Sequence, residues 1–355
     1  MIAVLIAVAV AFLFAVLGTP FLITYLQRHN IGALIRDDGP VAHPHEAKAG
    51  TPTMGGVAIV GAAFLGYLAA HIRSEAIKFA DTAIALWVLI LGLFAVGFLD
   101  DYLGIRRARN LGLRKRGKTL GILFVAVTFA AMSTEIVHVS THLSFTRPLG
   151  LDLGKVGWIL WCIAVVYATT NAVNITDGLD GLLGGSAALV FAAFIVISFT
   201  QFRHPGAYDL RVAATSALQA GSIDVAVVAA ALMGACIGFL WWNAPPARVF
   251  MGDTGALALG GAMAGMGLLT NTHLLLPIIG GLYVLETASV IAQVISFRGF
   301  GRRILRMSPI HHHFELLGWP ESTIIVRFWI LAGLAMALGL GLFYADFLRI
   351  PGVNG

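Results

Sequence analysis

Ten stretches of predominantly apolar residues follow one another along this chain, each near the length a helix needs to cross a bilayer. A spanning helix takes about 20 such residues. The stretches run near Ile2–Tyr25, Met54–His71, Thr82–Leu99, Thr119–Ser140, Val156–Val173, Leu182–Gln201, Ile223–Asn243, Thr254–Thr270, Leu274–Phe297 and Thr323–Phe347. Met1–Phe14 has the look of a signal peptide, but it lacks a basic start and stays apolar to Tyr25, so it reads as the first membrane helix. Composition agrees: 58% of residues are hydrophobic and 12% charged, against about 45–50% and about 25% in soluble domains. A soluble, disordered or nucleic-acid-binding chain is excluded. The pattern predicts an all-α polytopic integral membrane protein of about ten transmembrane helices, organised as one transmembrane domain over 1–355. Pro277 inside a stretch is tolerable, because neighbouring helices can satisfy freed backbone groups. Cys162 and Cys236 both lie in apolar runs and read as buried thiols.

Lys and Arg set the orientation. Sixteen of the 23 fall in the loops after the odd-numbered stretches or at the start of the tenth, with the densest run from Arg106 to Lys118. This places the odd-numbered loops in the cytoplasm. Both termini are then expected outside, and an even helix count agrees, since it requires them to share a side.

The unusual polar groups collect on that same side. Asp100 and Asp101 stand at the exit of the third stretch. Two adjacent carboxylates at a helix C-terminus oppose the helix dipole. They call for compensation, either from a divalent cation or from Arg106 and Arg107. Asn171, Asn174 and Asp177 share a face at i, i+3 spacing if helical, and Asp180 continues it, interleaved with Gly178, Leu179 and Gly181. Capping of a tight turn is the plainer reading, although four such side chains exceed what a cap needs. Asn243 through Asp253 form a further loop, with Phe250 ahead of Met251 and Gly252. Asp253 there is either an N-cap or a hard oxygen ligand for Mg²⁺, an ion held by one or two carboxylates with water and phosphates. His311, His312 and His313 are adjacent, a spacing that does not converge on one metal. They are expected to form a polar surface toward an anionic substrate, or simply an exposed loop. Lys48 precedes a Gly-rich helix entry, a plausible phosphate site. Glu286 lies inside the ninth stretch, where a carboxylate costs about 2.5–3.5 kcal/mol. It reads as a structural partner away from the clusters.

Carboxylates, cations, amides and His from five loops at one membrane surface point to phosphoryl transfer, in which positioning and electrostatic stabilisation do most of the catalysis. At this point the motifs become recognisable. The Asp100-Asp101 pair, Asn171 to Gly181 and Phe250-Met251-Gly252-Asp253 resemble those of the polyprenyl-phosphate N-acetylhexosamine-1-phosphate transferases. Gly50 to Gly56 and Ser308 to Glu315 resemble its phospho-N-acetylmuramoyl-pentapeptide-transferase branch. The resemblance runs from Lys48 to about Phe328. It implies transfer of phospho-MurNAc-pentapeptide from UDP-MurNAc-pentapeptide to undecaprenyl phosphate, giving a lipid-linked product and UMP with Mg²⁺. It further implies a multi-pass protein of the bacterial inner membrane, active on its cytoplasmic face, without nucleic acid, and working as a homodimer.

Carried onto this sequence, Asp253 resembles the main Mg²⁺ ligand, with Asp177 on the metal side. Asp100 resembles a base or phosphate-orienting group, with Asp101 beside it. Lys48 and Lys118 match basic positions near the diphosphate. Asn174, Asp177, Gly178, Leu179, Asp180 and Asn243 match the substrate wall, Phe250 the residue stacked on uracil, and His311, His312 and His313 the loop at the nucleotide-sugar. The resemblance also implies an external β-hairpin near 141–155. One departure is Gly104, where many relatives carry Lys; Arg106 or Arg107 is the available substitute, and Arg is geometrically unlike Lys. Two rival readings remain at this level. One is a sister transferase using UDP-GlcNAc. The other is a secondary transporter, which would place its ionisable groups near the bilayer midplane.

Overall fold

The computed structural model describes residues 1–29, 31–32, 50–72, 79–106, 112–205, 208 and 215–350. The apolar stretches become helices α1 (Ile2–Arg28), α2 (Gly56–Ile72), α3 (Asp81–Arg106) and α4 (Lys115–Glu135). A hairpin follows, β1 (His142–Ser144) and β2 (Pro148–Asp152), then α5 (Gly154–Thr176), α6 (Leu182–Arg203), α7 (Thr215–Asn243) and α8 (Gly252–Leu269). The chain ends through α9 (Leu276–Ile279), α10 (Gly281–Phe300), α11 (Ile310–Glu315) and α12 (Glu321–Phe347). The hairpin is antiparallel, with His142 opposite Asp152 and Ser144 opposite Pro148. It stands where the resemblance puts it.

Among the described residues, seven helices are long and apolar enough to cross a membrane: α1, α3, α4, α5, α6, α7 over Gly221–Asn243, and α12. The other three expected spans are also helical but fall short for identifiable reasons. Helix α2 has 17 residues. Helix α8 opens on Gly252, Asp253 and Thr254 and is rich in glycine, while α10 carries Glu286, Thr287, Ser289, Gln293 and Arg298. The ninth stretch is not one helix: Pro277 stands in the first turn of α9, and the chain turns at Gly280 before α10 begins.

Helix α8 is the axis of the bundle. Every residue from Thr254 to Leu269 is buried, as expected for a helix that is apolar or small on all faces. Lipid supplies little hydrophobic drive between helices, so close approach of small residues carries their packing. Gly234 and Gly238, one turn apart on α7, show this against α1. A methyl on either would sit 2.3 Å from the Val8 carbonyl oxygen or 2.6 Å from that of Phe12. Likewise a methyl on Gly97 of α3 would meet the Asp253 carbonyl oxygen at 2.2 Å. Backbone contact between α3 and α8 therefore sets where Asp253 stands. Cys162 and Cys236 are buried free thiols.

Candidate active site

The acidic pair does not sit at a helix end. Helix α3 runs on to Arg106, so Asp100 and Asp101 lie inside it, and successive helical positions point in different directions. Asp101 turns to the start of α8. It accepts hydrogen bonds from Asp253 N at 3.2 Å, Thr254 N at 2.9 Å and Thr254 Oγ1 at 2.6 Å. Its charge thus satisfies orphan amides at the positive end of a buried helix. Asp253 stands in the first turn of α8 and makes no cap of its own, which sets aside its N-cap reading.

The Asp253 carboxylate is left for other partners. One oxygen accepts from Asn174 Nδ2 at 2.8 Å, and the other takes a hydrogen-bonded ion pair from Lys118 Nζ. Lys118 comes from the first turn of α4. Its ammonium also lies 3.7 Å from Asp100 Oδ2. Asp100 Oδ1 is fixed by the Leu113 amide at 2.7 Å, and the Asp100 and Asp253 carboxyl groups meet directly. The side chains of Lys118, Asp253 and Asp100 keep 23%, 20% and 16% of their surface exposed, so the cluster opens outward. Lys118 supplies the cation at the pair; Arg106 is exposed in the last turn of α3, and Arg107 lies outside the described residues.

Helix α5 ends at Thr176, with Asp177 as its C-cap. Asn174 therefore points at Asp253, whereas Asn171 bonds back to the Tyr167 carbonyl at 2.7 Å. Asp180 falls beyond the turn rather than on the helical face. It is buried, accepts from Ala247 N at 2.9 Å, and its own amide donates to Glu321 Oε1 at 3.0 Å. Asp177 remains at the site. Desolvation and the charges of Asp253, Asp101 and Asp180 push its carboxyl up to about 8.

The other expected substrate residues divide. Asn243 is a strut: Oδ1 accepts from Gly181 N at 3.0 Å and Nδ2 donates to the Val249 carbonyl at 2.8 Å. Leu179 is buried in a small cluster with Leu182, Ile324, Ile325 and Phe328. Phe250 is half-buried, its backbone paired with Pro52 and Gly55 at 2.8 Å each. The three histidines diverge, as their spacing requires. His311 is fully buried, with its ring against Gly178. His312 pairs with Glu315, and His313 Nδ1 accepts from Arg306 N at 3.1 Å. Glu286 is not away from the clusters: its Oε2 lies 3.0 Å from His311 Nδ1, both side chains fully buried. It supports the histidine loop from beneath, a link that a residue some 25 positions away does not advertise. Lys48 lies outside the described residues.

Thr254, Glu321 and the Leu113 amide escaped sequence reasoning. Only Glu321 leaves a trace there, as an acid at a helix start after Pro320.

Among the described residues no three His, Cys, Asp or Glu side chains form a ready metal cage. Mg²⁺ needs less: one or two carboxylates, with water and substrate phosphates completing its shell. The donors at hand are hard carboxylate oxygens. An ammonium already sits between Asp253 and Asp100, which marks where positive charge is demanded. These residues fit Mg²⁺.

Comparison with known proteins gives the family of the chain. The model of glycosyl transferase family 4 matches residues 83–271, and phospho-N-acetylmuramoyl-pentapeptide-transferase signature 1 matches residues 48–60. The phospho-N-acetylmuramoyl-pentapeptide-transferase of Frankia alni is 48% identical, covering 97% of this chain and 98% of that protein. The proteins of the same description from Saccharopolyspora erythraea and Mycobacterium leprae are 47% and 45% identical, each over 98% of this chain and at least 98% of their own length. The chain therefore belongs to the phospho-N-acetylmuramoyl-pentapeptide-transferase family.

Proposed function

We propose that the Asp253 cluster transfers phospho-MurNAc-pentapeptide from UDP-MurNAc-pentapeptide to undecaprenyl phosphate, on the cytoplasmic face of a bacterial inner membrane. An oxygen of the lipid phosphate attacks the β-phosphorus of the donor. The bond from that phosphorus to the UMP oxygen breaks, and UMP leaves with the electron pair. The observation that carries the reading is Lys118 held between Asp253 and Asp100, with Asn174 on the far oxygen of Asp253. Two anions must come together in such a step, and charge screening is its first requirement. Lys118 Nζ provides part of it, and Lys48 is assigned to the diphosphate.

Asp253 and Asp177 would hold Mg²⁺, which when bound neutralises phosphate charge and orients the diphosphate. Asp100, fixed through Oδ1 by the Leu113 amide, presents Oδ2 to the acceptor phosphate. That oxygen orients the phosphate and takes its remaining proton when it arrives as the monoanion. A phosphate monoester has a second pKa near 6, so a strong base is unnecessary. Asp101 holds the first turn of α8, and with it Asp253, in register with α3. His312, His313 and Phe250 are assigned to the nucleotide-sugar.

The test is UMP release and mass spectrometry of the lipid product with defined donors and undecaprenyl phosphate. Lipid-linked MurNAc-pentapeptide is expected. Product with UDP-GlcNAc alone would move the chain to the sister activity.

A further inference from the structure

Glu286 is a carboxylate that the transfer step does not use. It stands in α10, whose outer face of Val284, Leu285 and Ile291 is exposed, and it is itself fully buried. An ionisable side chain within a spanning segment is costly, and such residues usually serve a function. Its partner is equally buried: Oε2 lies 3.0 Å from Nδ1 of His311 in α11. Among the described residues, neither carboxylate oxygen and neither ring nitrogen has a hydrogen bond to any other group. The two side chains answer only to each other. Separating such a pair leaves a bare buried charge, so neither is free to turn away.

The contact is braced from α10. Ser289 Oγ donates to the Glu286 carbonyl at 2.6 Å and accepts from the Ile310 amide at 3.0 Å. Residues 310 and 311 are thus tied to α10 at successive positions, one through its backbone and one through its ring. The Nε2 edge of that ring meets the loop after α5. A methyl on Gly178 would stand 2.2 Å from Nε2 and 2.8 Å from Cε1, so only glycine admits the ring. The loop has other anchors downstream, Glu321 on the Asp180 amide and Asn243 on the Gly181 amide. The Gly178 amide bonds within the turn, to the Thr176 carbonyl at 2.9 Å. At this point the loop leans on His311. Asp177 is the next residue back, its carboxylate against the Gly252 amide at the start of α8.

We propose that Glu286 is a positioning residue for the transfer site. Its carboxylate fixes the His311 ring, the ring sets the place of the Gly178 backbone, and Gly178 sets where Asp177 presents its oxygens. His311 acts as a spacer between α10 and the loop and touches no substrate, which fits its complete burial. The proposal rests on the assignment of Asp177 to the metal side of the transferase site.

The experiment uses Mn²⁺ as the probe. Its binding to the full chain in detergent is followed by the paramagnetic resonance signal of the free ion, and UMP release is followed over a Mg²⁺ titration. Glu286→Gln keeps the shape and leaves no bare carboxylate beside the ring. It should weaken Mn²⁺ binding about tenfold, the low end of the loss when supports behind a metal ligand are removed. UMP release should fall at low Mg²⁺ and recover at saturation, because the ligand is displaced rather than lost. Glu286→Asp, short of the ring by one methylene, should shift both readouts the same way, and it serves where the Gln variant does not fold. Arg306→Gln is the comparison. It removes the 2.6 Å bond from Arg306 Nη1 to the Leu316 carbonyl, past the other end of α11. It should lower Tm without changing Mn²⁺ affinity. Unchanged Mn²⁺ affinity in the Glu286 variants would overturn the proposal. So would an equal loss in Arg306→Gln, which would make general loosening of α11 the cause. The Mn²⁺ titration needs neither donor nor acceptor. A wild-type chain that forms no lipid-linked product would therefore count against the proposed function, while the Mn²⁺ affinities still decide the role of Glu286.

Discussion

Asp100 and Asp101 are neighbours in sequence and carry the same group, yet their surroundings give them different work. About 100° of rotation per helical residue sends Asp101 into the start of α8 and leaves Asp100 beside Lys118. Asp101→Asn should therefore act mainly on stability. It removes a charge and an acceptor facing helical amides, costing about 1–2 kcal/mol, seen as a lower Tm in detergent. Asp253→Asn keeps shape and an oxygen for Asn174 but loses the charge. UMP release should fall about 10²–10³-fold, in the range seen when electrostatic stabilisers are removed, with Tm near wild type. An Asp253→Asn enzyme of near-normal rate at saturating Mg²⁺ would sink its role as metal ligand. Asp177 supplies a pH signature. With its carboxyl raised to about 8, it holds a proton at pH 7 that a cation must displace. Apparent Mg²⁺ affinity should rise from pH 6.5 toward 8 and level above it. Asp177→Asn should flatten that slope, and a flat wild-type profile would contradict the assignment. The residue types of the site were legible in sequence. The division of labour was not, because it depends on contacts such as Asp101 to Thr254 and Glu286 to His311 that join distant positions.

At the scale of elements, the helices were legible wherever an apolar run had the length of a bilayer, and the hairpin came from resemblance alone. The break at Gly280 was hidden, because Leu274–Phe297 is apolar on both sides of it. The end of α5 at Thr176 was hidden too, since Asn174, Asp177 and Asp180 keep helical spacing through a turn that is not helical. What the elements do for the site is best read at the α3–α8 contact. Gly97 is buried, and a methyl there would stand 2.2 Å from the Asp253 carbonyl oxygen, so backbone must move to admit it. Gly97→Ala should cost about 1–3 kcal/mol by overpacking. It should also slow UMP release by up to about 10²-fold, the scale of loss when reacting groups shift by roughly 1 Å. A variant less stable but fully active would show that α8 tolerates displacement, and that the glycine matters for packing only.

For the whole molecule, the asymmetry of Lys and Arg and the location of the carboxylates make one joint claim about the bilayer. Asp100, Asp177, Asp253 and the histidine helix α11 gather at one end; the hairpin and His273 stand at the other. Arg147 of the hairpin loop pairs with Asp346 near the end of α12 through two hydrogen bonds of 2.8 and 2.6 Å, so this end is fixed to the bundle rather than loose over it. Sixteen of 23 basic residues fall in the loops after the odd-numbered apolar stretches or at the start of the tenth, and the positive-inside bias then puts those loops, with the carboxylates they carry, in the cytoplasm. The two native thiols are fully buried, which leaves a quiet background for labelling. Leu149→Cys places a thiol on β2 at a site 60% exposed, and Leu317→Cys places one after α11 at a site 43% exposed. A membrane-impermeant maleimide applied to intact spheroplasts should label Leu149→Cys at once. It should reach Leu317→Cys only after permeabilisation. The reverse pattern would turn the bundle over in the membrane and deny the carboxylate cluster any nucleotide-linked donor from the cytoplasm. Labelling of both in intact cells would mean that the two ends do not face opposite sides, and the charge asymmetry would lose its topological meaning.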